Sequence, residues 1–194
     1  MAMYVFRELS PKIFYFTYSL QEPESYINFI EESENNNTDL DIISKWSPLT
    51  FGNNPKVFGS EKILSSDFSK KELPINPRNL YLVNTLKATF HHCFSQYRLY
   101  NNIEEPVDLD TTYTVKKYNT GFLHKERGNG KYVAYFFLND NYGGGHITFP
   151  GTSFSVTNEI KPEKGSVIIF PSENEITSSP TFTSDRYLAV GTWK

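Results

Sequence analysis

The sequence predicts a mostly β domain, a sandwich or jelly roll with supporting helices. Three observations carry that expectation. From Asp108 onward, short β-branched and aromatic runs recur at roughly ten-residue spacing with turn residues between them. Before them, Leu82, Leu86, Phe90, Cys93 and Tyr97 form an apolar stripe at helical spacing. At 194 residues the chain can bury a core without staples. Residues 1–194 read as one domain, with strand and helix support over 1–105 and the jelly-roll core over 106–194.

The elements follow in order. Ile13 to Leu20 is rich in β-branched and aromatic residues and reads as a strand. Pro23, with Glu22 and Glu24 beside it, suits a helix start, and Tyr26, Ile27, Phe29 and Ile30 give that helix an apolar stripe. Glu34 to Asp39 is a solvated loop. Over 41–75, Trp46 and Val57-Phe58-Gly59 suggest short strands or packed loops. The apolar stripe then predicts a helix from Pro77 to Tyr97. Its adjacent His91 and His92 lie about 100° apart and cannot face one metal together. The predicted strands are Thr111–Tyr118, Lys131–Leu138, His146–Phe149, Ser153–Val156, Ser166–Phe170 and Arg186–Trp193. Gly143-Gly144-Gly145 reads as a turn needing positive φ. It is not a phosphate loop, since no Lys-Ser/Thr and no helix follow.

Composition narrows the function. The formal net charge is −3 and no basic block appears, so nothing predicts binding to nucleic acid or to an anionic membrane. No run approaches the roughly 18 apolar residues of a membrane span. The single cysteine, Cys93, excludes an internal disulfide framework and reads as a small buried hydrophobe. No basic, apolar leader opens the chain, so the expectation is a cytoplasmic or virion protein without a secretion signal. Abundant Phe, Tyr, Asn, Ile and Lys suggest an AT-rich genome, viral or bacterial.

The chemistry-bearing stretch is Tyr118 to Trp193. His124 and Glu126 are two apart, which puts both on one face of a strand. A histidine and a carboxylate so placed begin a two-His-one-carboxylate site for Fe(II).

Around that pair stand Tyr118-Asn-Thr-Gly121, Phe137-Leu138-Asn139, Gly144-Gly145 with Phe149-Pro150, Pro162-Glu-Lys-Gly165, Phe170-Pro171-Ser172, Pro180, Arg186-Tyr187 and Trp193. In this order and spacing they resemble the Fe(II)- and 2-oxoglutarate-dependent oxygenases of the prolyl 4-hydroxylase type, over about residues 106 to 193. The resemblance implies a double-stranded β-helix, a cupin-like jelly roll with N-terminal helices packed outside. It implies a hydroxylase with Fe(II) and 2-oxoglutarate as cofactors, in which cosubstrate decarboxylation to succinate drives oxidation of a substrate. It makes His124 and Glu126 metal ligands. It makes Arg186 the anchor of the far carboxylate of 2-oxoglutarate, with Tyr118 a further donor. In the family, loops at the barrel mouth choose the substrate, here residues 41–75 and 172–184.

This chain departs from the pattern in three places. Spacing from Phe170-Pro171-Ser172 and from Pro180 puts the distal histidine at Ile176, which cannot bind metal. Glu175 and Thr177 carry oxygens, but a one-residue shift faces the other side of a strand. His124 follows Gly121 closely, where the family's loop is longer. The carboxylate is Glu126, not Asp, and its extra methylene matters where metal–ligand distances hold within about 0.2 Å. A second reading therefore stands beside the first. His124 and Glu126 then belong to a solvated strand end, and Arg186 pairs structurally with Asp185 or Glu126. His146 is a further candidate, as a relocated ligand. Two functions follow: an oxygenase acting at His124, Glu126 and Arg186 on an unidentified substrate, or a non-catalytic jelly-roll module that serves as a structural or protein-binding component, possibly viral.

Overall fold

A computed structural model of the chain describes residues 6–17, 22–28, 47–48, 63–67, 77–106, 112–118, 120–121, 124–126, 130–149 and 158–194. In chain order the elements are β1 (Phe6–Ser10), β2 (Ile13–Phe16), helix α1 over 24–28, β3 (Ser47–Pro48), β4 (Ile63–Asp67) and α2 (Pro77–Tyr100). Then come β5 (Thr112–Tyr118), β6 (His124–Glu126), β7 (Tyr132–Phe137), β8 (Ile147–Phe149), β9 (Asn158–Ile160), β10 (Val167–Pro171), β11 (Ile176–Ser178) and β12 (Arg186–Trp193).

Two antiparallel sheets result. The larger has the order β1-β2-β10-β7-β12-β5-β4-β3, the smaller β6-β11-β8-β9. From β5 on, the chain passes back and forth between them: β5, β7, β10 and β12 lie in one and β6, β8, β9 and β11 in the other. This winding is the double-stranded β-helix. The N-terminal segment does more than support it, because β1 and β2 extend the large sheet beyond β10.

Strand periodicity divides the side chains between two apolar cores. Val133, Tyr135 and Phe137 of β7, Ile168 and Phe170 of β10, and Leu188 and Val190 of β12 join Ile147, Phe149 and Ile176 between the sheets. Their neighbours in sequence, Tyr132, Ala134, Phe136, Val167, Ile169, Ala189 and Trp193, face the other way onto Leu86, Phe90 and Phe94 of α2. Strands buried on both faces read as continuous apolar runs, as these do.

Helix α2 sits close to the sheet because of Gly191. A Cβ there would stand 2.8 Å from the Phe90 ring. Phe90 meets Phe136 edge-on at 4.4 Å between ring centroids, and Phe94 stacks on Trp193 at 4.1 Å. The Tyr97 hydroxyl donates to Lys12 O at 3.0 Å, and that of Tyr26 to Leu82 O at 3.1 Å. These two bonds tie the β1–β2 turn and α1 to the long helix. Cys93 is buried in this core. No helix among the described residues is long and apolar enough to cross a membrane.

Several sequence expectations change in detail. The long helix continues to Tyr100. Residues 172–184 are not simply a loop, since β11 lies within them. The strand expected at Ser153–Val156, Trp46 and Val57-Phe58-Gly59 lie outside the described residues.

The Gly191–Phe90 contact generates a prediction. Gly191→Ala should lower unfolding stability by about 1–3 kcal/mol through overpacking, read by urea denaturation. Pairing it with Phe90→Leu should recover part of the loss. If Gly191→Ala has wild-type stability, the close approach of α2 is wrong.

Candidate functional site

The site builds from strand register. In β12 and β5, Arg186 stands opposite Tyr118. In β11 and β6, Ser178 stands opposite position 124 and Ile176 opposite position 126. Antiparallel pairing therefore brings the ends of four strands together at one mouth of the jelly roll.

Two of the residues singled out in the sequence meet there. Arg186 is 2 % exposed, and its guanidinium carbon lies 4.7 Å from the centroid of the buried Tyr118 ring. That is a cation–π arrangement in a desolvated setting, where such contacts are strongest. Arg186 Nη1 donates to Ser178 Oγ and, at 3.4 Å, to Gly145 O.

Of the structural pairings expected for Arg186, that with Asp185 does not form, and that with Glu126 involves a side chain outside the described residues. Asp185 points elsewhere: its Oδ1 accepts from Thr120 N at 3.2 Å, and its Oδ2 lies 3.8 Å from Lys117 Nζ. Among the described residues no carboxylate lies within ion-pair distance of Arg186. A buried guanidinium without a counter-charge is costly.

Further polar atoms around it also lack partners. Gly145 adopts φ +70°, and a Cβ on it would stand 2.5 Å from the Tyr142 ring and 3.0 Å from Thr181 Cγ2. Glycine thus lets the Tyr142 and Thr181 side chains close around the carbonyl that Arg186 meets. The Tyr142 hydroxyl, Thr181 Oγ1 and Arg186 Nε are all buried without a hydrogen-bond partner. Buried polar groups normally find partners; these three, all on residues close to Gly145, do not. Burial pushes the Tyr142 hydroxyl up to about 12, against the opposing pull of Arg186. At neutral pH it is therefore a neutral phenol, able to donate to an anion.

The described residues do not complete a metal site. His124 and Glu126 form the two ends of β6, but their side chains lie outside the described residues. Position 176 is an isoleucine, 3 % exposed in the inter-sheet core. Glu175 and Thr177 are only half-buried while Ile176 and Ser178 are buried, so the neighbouring oxygens take the other face. Ser178 is engaged by Arg186. His146 is half-exposed, its Nδ1 3.6 Å from Glu159 Oε1 on the next strand. Among the described residues no three His, Cys, Asp or Glu side chains converge.

Sequence reasoning missed Ser178, Tyr142 and Thr181. Ser178 was reachable, since it follows Ile176 by one strand repeat. Asn139, part of a recognised motif, proves structural. Its Nδ2 donates to Asp185 O and Asn141 Oδ1, and its Oδ1 accepts from Tyr187 N, all at 2.9 Å. It locks the end of β7 to the start of β12 and so fixes where Arg186 emerges. A cleft of about 480 Å³ beside Asn139, Asp140 and Lys164 is lined by Asp185 and Tyr187, the neighbours of Arg186 that face away from the mouth.

The fold is a double-stranded β-helix, a jelly roll similar to that of solved 2-oxoglutarate/Fe(II) oxygenases. A prolyl hydroxylase from Trichoplax adhaerens, solved with a hypoxia-inducible-factor peptide fragment, superposes with TM-score 0.70 at 13 % identity, over 94 % of this chain and 83 % of that one. A prolyl 4-hydroxylase from Pseudomonas putida gives 0.64 at 14 %, over 94 % and 91 %. An oxidoreductase of the 2OG-Fe(II) oxygenase family from Burkholderia pseudomallei gives 0.53 at 12 %, over 73 % and 72 %. No protein-family model and no curated protein sequence matches the chain. At these identities the likeness is one of fold.

The unpartnered Tyr142 hydroxyl makes a testable case. Because burial disfavours its ionised form, the fold loses stability relative to the unfolded chain as pH rises from 10 through about 12, on the order of 2–3 kcal/mol, while below pH 10 the shift has no effect. Tyr142→Phe should therefore leave stability at pH 7 equal or slightly higher, because a buried unpaired hydroxyl is removed. It should also shrink the loss between pH 10 and 12. Denaturation of both proteins across that range checks this, and equal alkaline losses would refute it.

Proposed function

We propose that this protein binds the carboxylate of a small organic acid at Arg186 and does not carry the fold's metal-dependent oxidation. One observation carries the proposal: a fully buried guanidinium, without a carboxylate near it among the described residues, surrounded by further orphaned polar atoms. Arg186 would grip the carboxylate, Tyr118 would hold the guanidinium from beneath, and the Tyr142 and Thr181 hydroxyls would donate to the ligand. A bound Fe(II) would supply the oxidising chemistry of the fold. Ile176 stands where its third protein ligand is needed, so the ligand set is incomplete.

The test titrates purified protein anaerobically with 2-oxoglutarate, with and without Fe(II), then admits oxygen and assays succinate. Binding should be the same with and without Fe(II), vanish in Arg186→Met, and yield no succinate. Arg186→Met should be at least as stable as wild type when ligand-free, because an apolar isostere relieves a buried, unpaired charge. Ile176→His should gain affinity for Co(II) by roughly tenfold or more, visible in the absorption spectrum. Succinate formation by wild type, or binding that requires Fe(II), would instead establish a working oxygenase.

A further inference from the structure

We propose that the ligand's carboxylate belongs to a short aliphatic monoacid, whose hydrocarbon chain lies against Ile176. This rests on the carboxylate site just described and specifies what occupies it. Arg186 meets Ser178, and Ser178 and Ile176 share the buried face of β11, with half-buried Thr177 between them. Two residues of strand span roughly 6.6 Å. At one end of that span stand the unpartnered Arg186 Nε, Tyr142 hydroxyl and Thr181 hydroxyl. At the other, Ile176 packs with Ile147, Leu188 and Tyr118 in one apolar cluster.

A site that is cationic and donor-rich at one end and aliphatic at the other matches an amphipathic monoanion. A diacid would bring its second carboxylate to the Ile176 end, where no donor stands among the described residues and desolvation is costly. Among the described residues the other buried cation of this face is Lys116, on β5. It stands opposite Leu188 and its ammonium lies 5.9 Å from the Tyr135 ring centroid. It is already engaged there, a level deeper than Arg186.

The experiment titrates wild-type protein with sodium pentanoate, hexanoate, glutarate and 2-oxoglutarate by calorimetry. Isoleucine methyl resonances are followed in parallel, with Ile176 assigned by comparison with Ile176→Val. The two monoacids should bind at least tenfold more tightly than the two diacids, and hexanoate should shift the Ile176 methyl. Anything short of a tenfold preference, including tighter binding of the diacids through Lys116, overturns the inference while leaving the carboxylate site at Arg186 intact. Monoacid binding that leaves the Ile176 methyl unmoved overturns it as well. If none of the four acids binds, both this inference and the carboxylate site fall.

Discussion

Everything in this structure depends on a strict two-residue alternation through three central strands. β7, β10 and β12 are buried on both faces, so each side chain must choose between the inter-sheet core and the helix-facing core. The choice is made by parity alone: Val133, Tyr135 and Phe137 go inward, while Tyr132, Ala134 and Phe136 go outward. A one-residue slip in any of these strands would exchange every contact at once. The register is reinforced by specific polar bonds at the strand ends. Asn139 ties β7 to β12, and the turn at Gly165 returns its amide to Phe137 O at 2.7 Å.

That parity also delivers the site. Arg186, Leu188 and Val190 share the inner face of β12, and Arg186, at its first position, falls at the mouth opposite Tyr118. The β11 strand obeys the same rule with Ile176 and Ser178. The geometry that would bring a third metal ligand to the mouth is therefore present, but the side chain there is apolar. Its packing with Ile147 and Leu188 makes Ile176 part of the core, so the strand position holds for reasons of packing whatever the chemistry.

How much of this was legible in the sequence follows from the same physics. β12 was readable to both ends, because Arg186-Tyr-Leu-Ala-Val-Gly-Thr-Trp193 is a long β-prone run. β1 escaped notice, since an edge strand exposed to water reads as Phe-Arg-Glu-Leu-Ser, with no apolar run. β11 escaped for a related reason: at three residues it has room for only one apolar anchor, Ile176. Tyr118 and Arg186 were named from a motif, yet their direct stacking is a register fact and needs the pairing of β5 with β12. Tyr142 and Thr181 lie in turns 39 positions apart in sequence. They meet only because Gly144 bridges Thr181 and Gly145 N donates to Pro180 O at 2.9 Å.

The buried arginine separates a scaffold from a binding site. A jelly roll kept only for its shape gains nothing from a guanidinium in its interior, since an apolar residue of similar volume there is commonly neutral or stabilising. The stacking on Tyr118 and the bonds to Ser178 and Gly145 lessen the cost without supplying a counter-charge. The three orphaned polar atoms add desolvation cost of the same sign. Strain of this kind, concentrated at one mouth of an otherwise well-packed fold, is what a site looks like before its ligand arrives. On the proposed function, the negative charge absent from beside Arg186 among the described residues is the ligand's own. In an interior held together largely by apolar parity, Arg186 is the most deeply buried charge among the described residues, and the proposed anion would offset it.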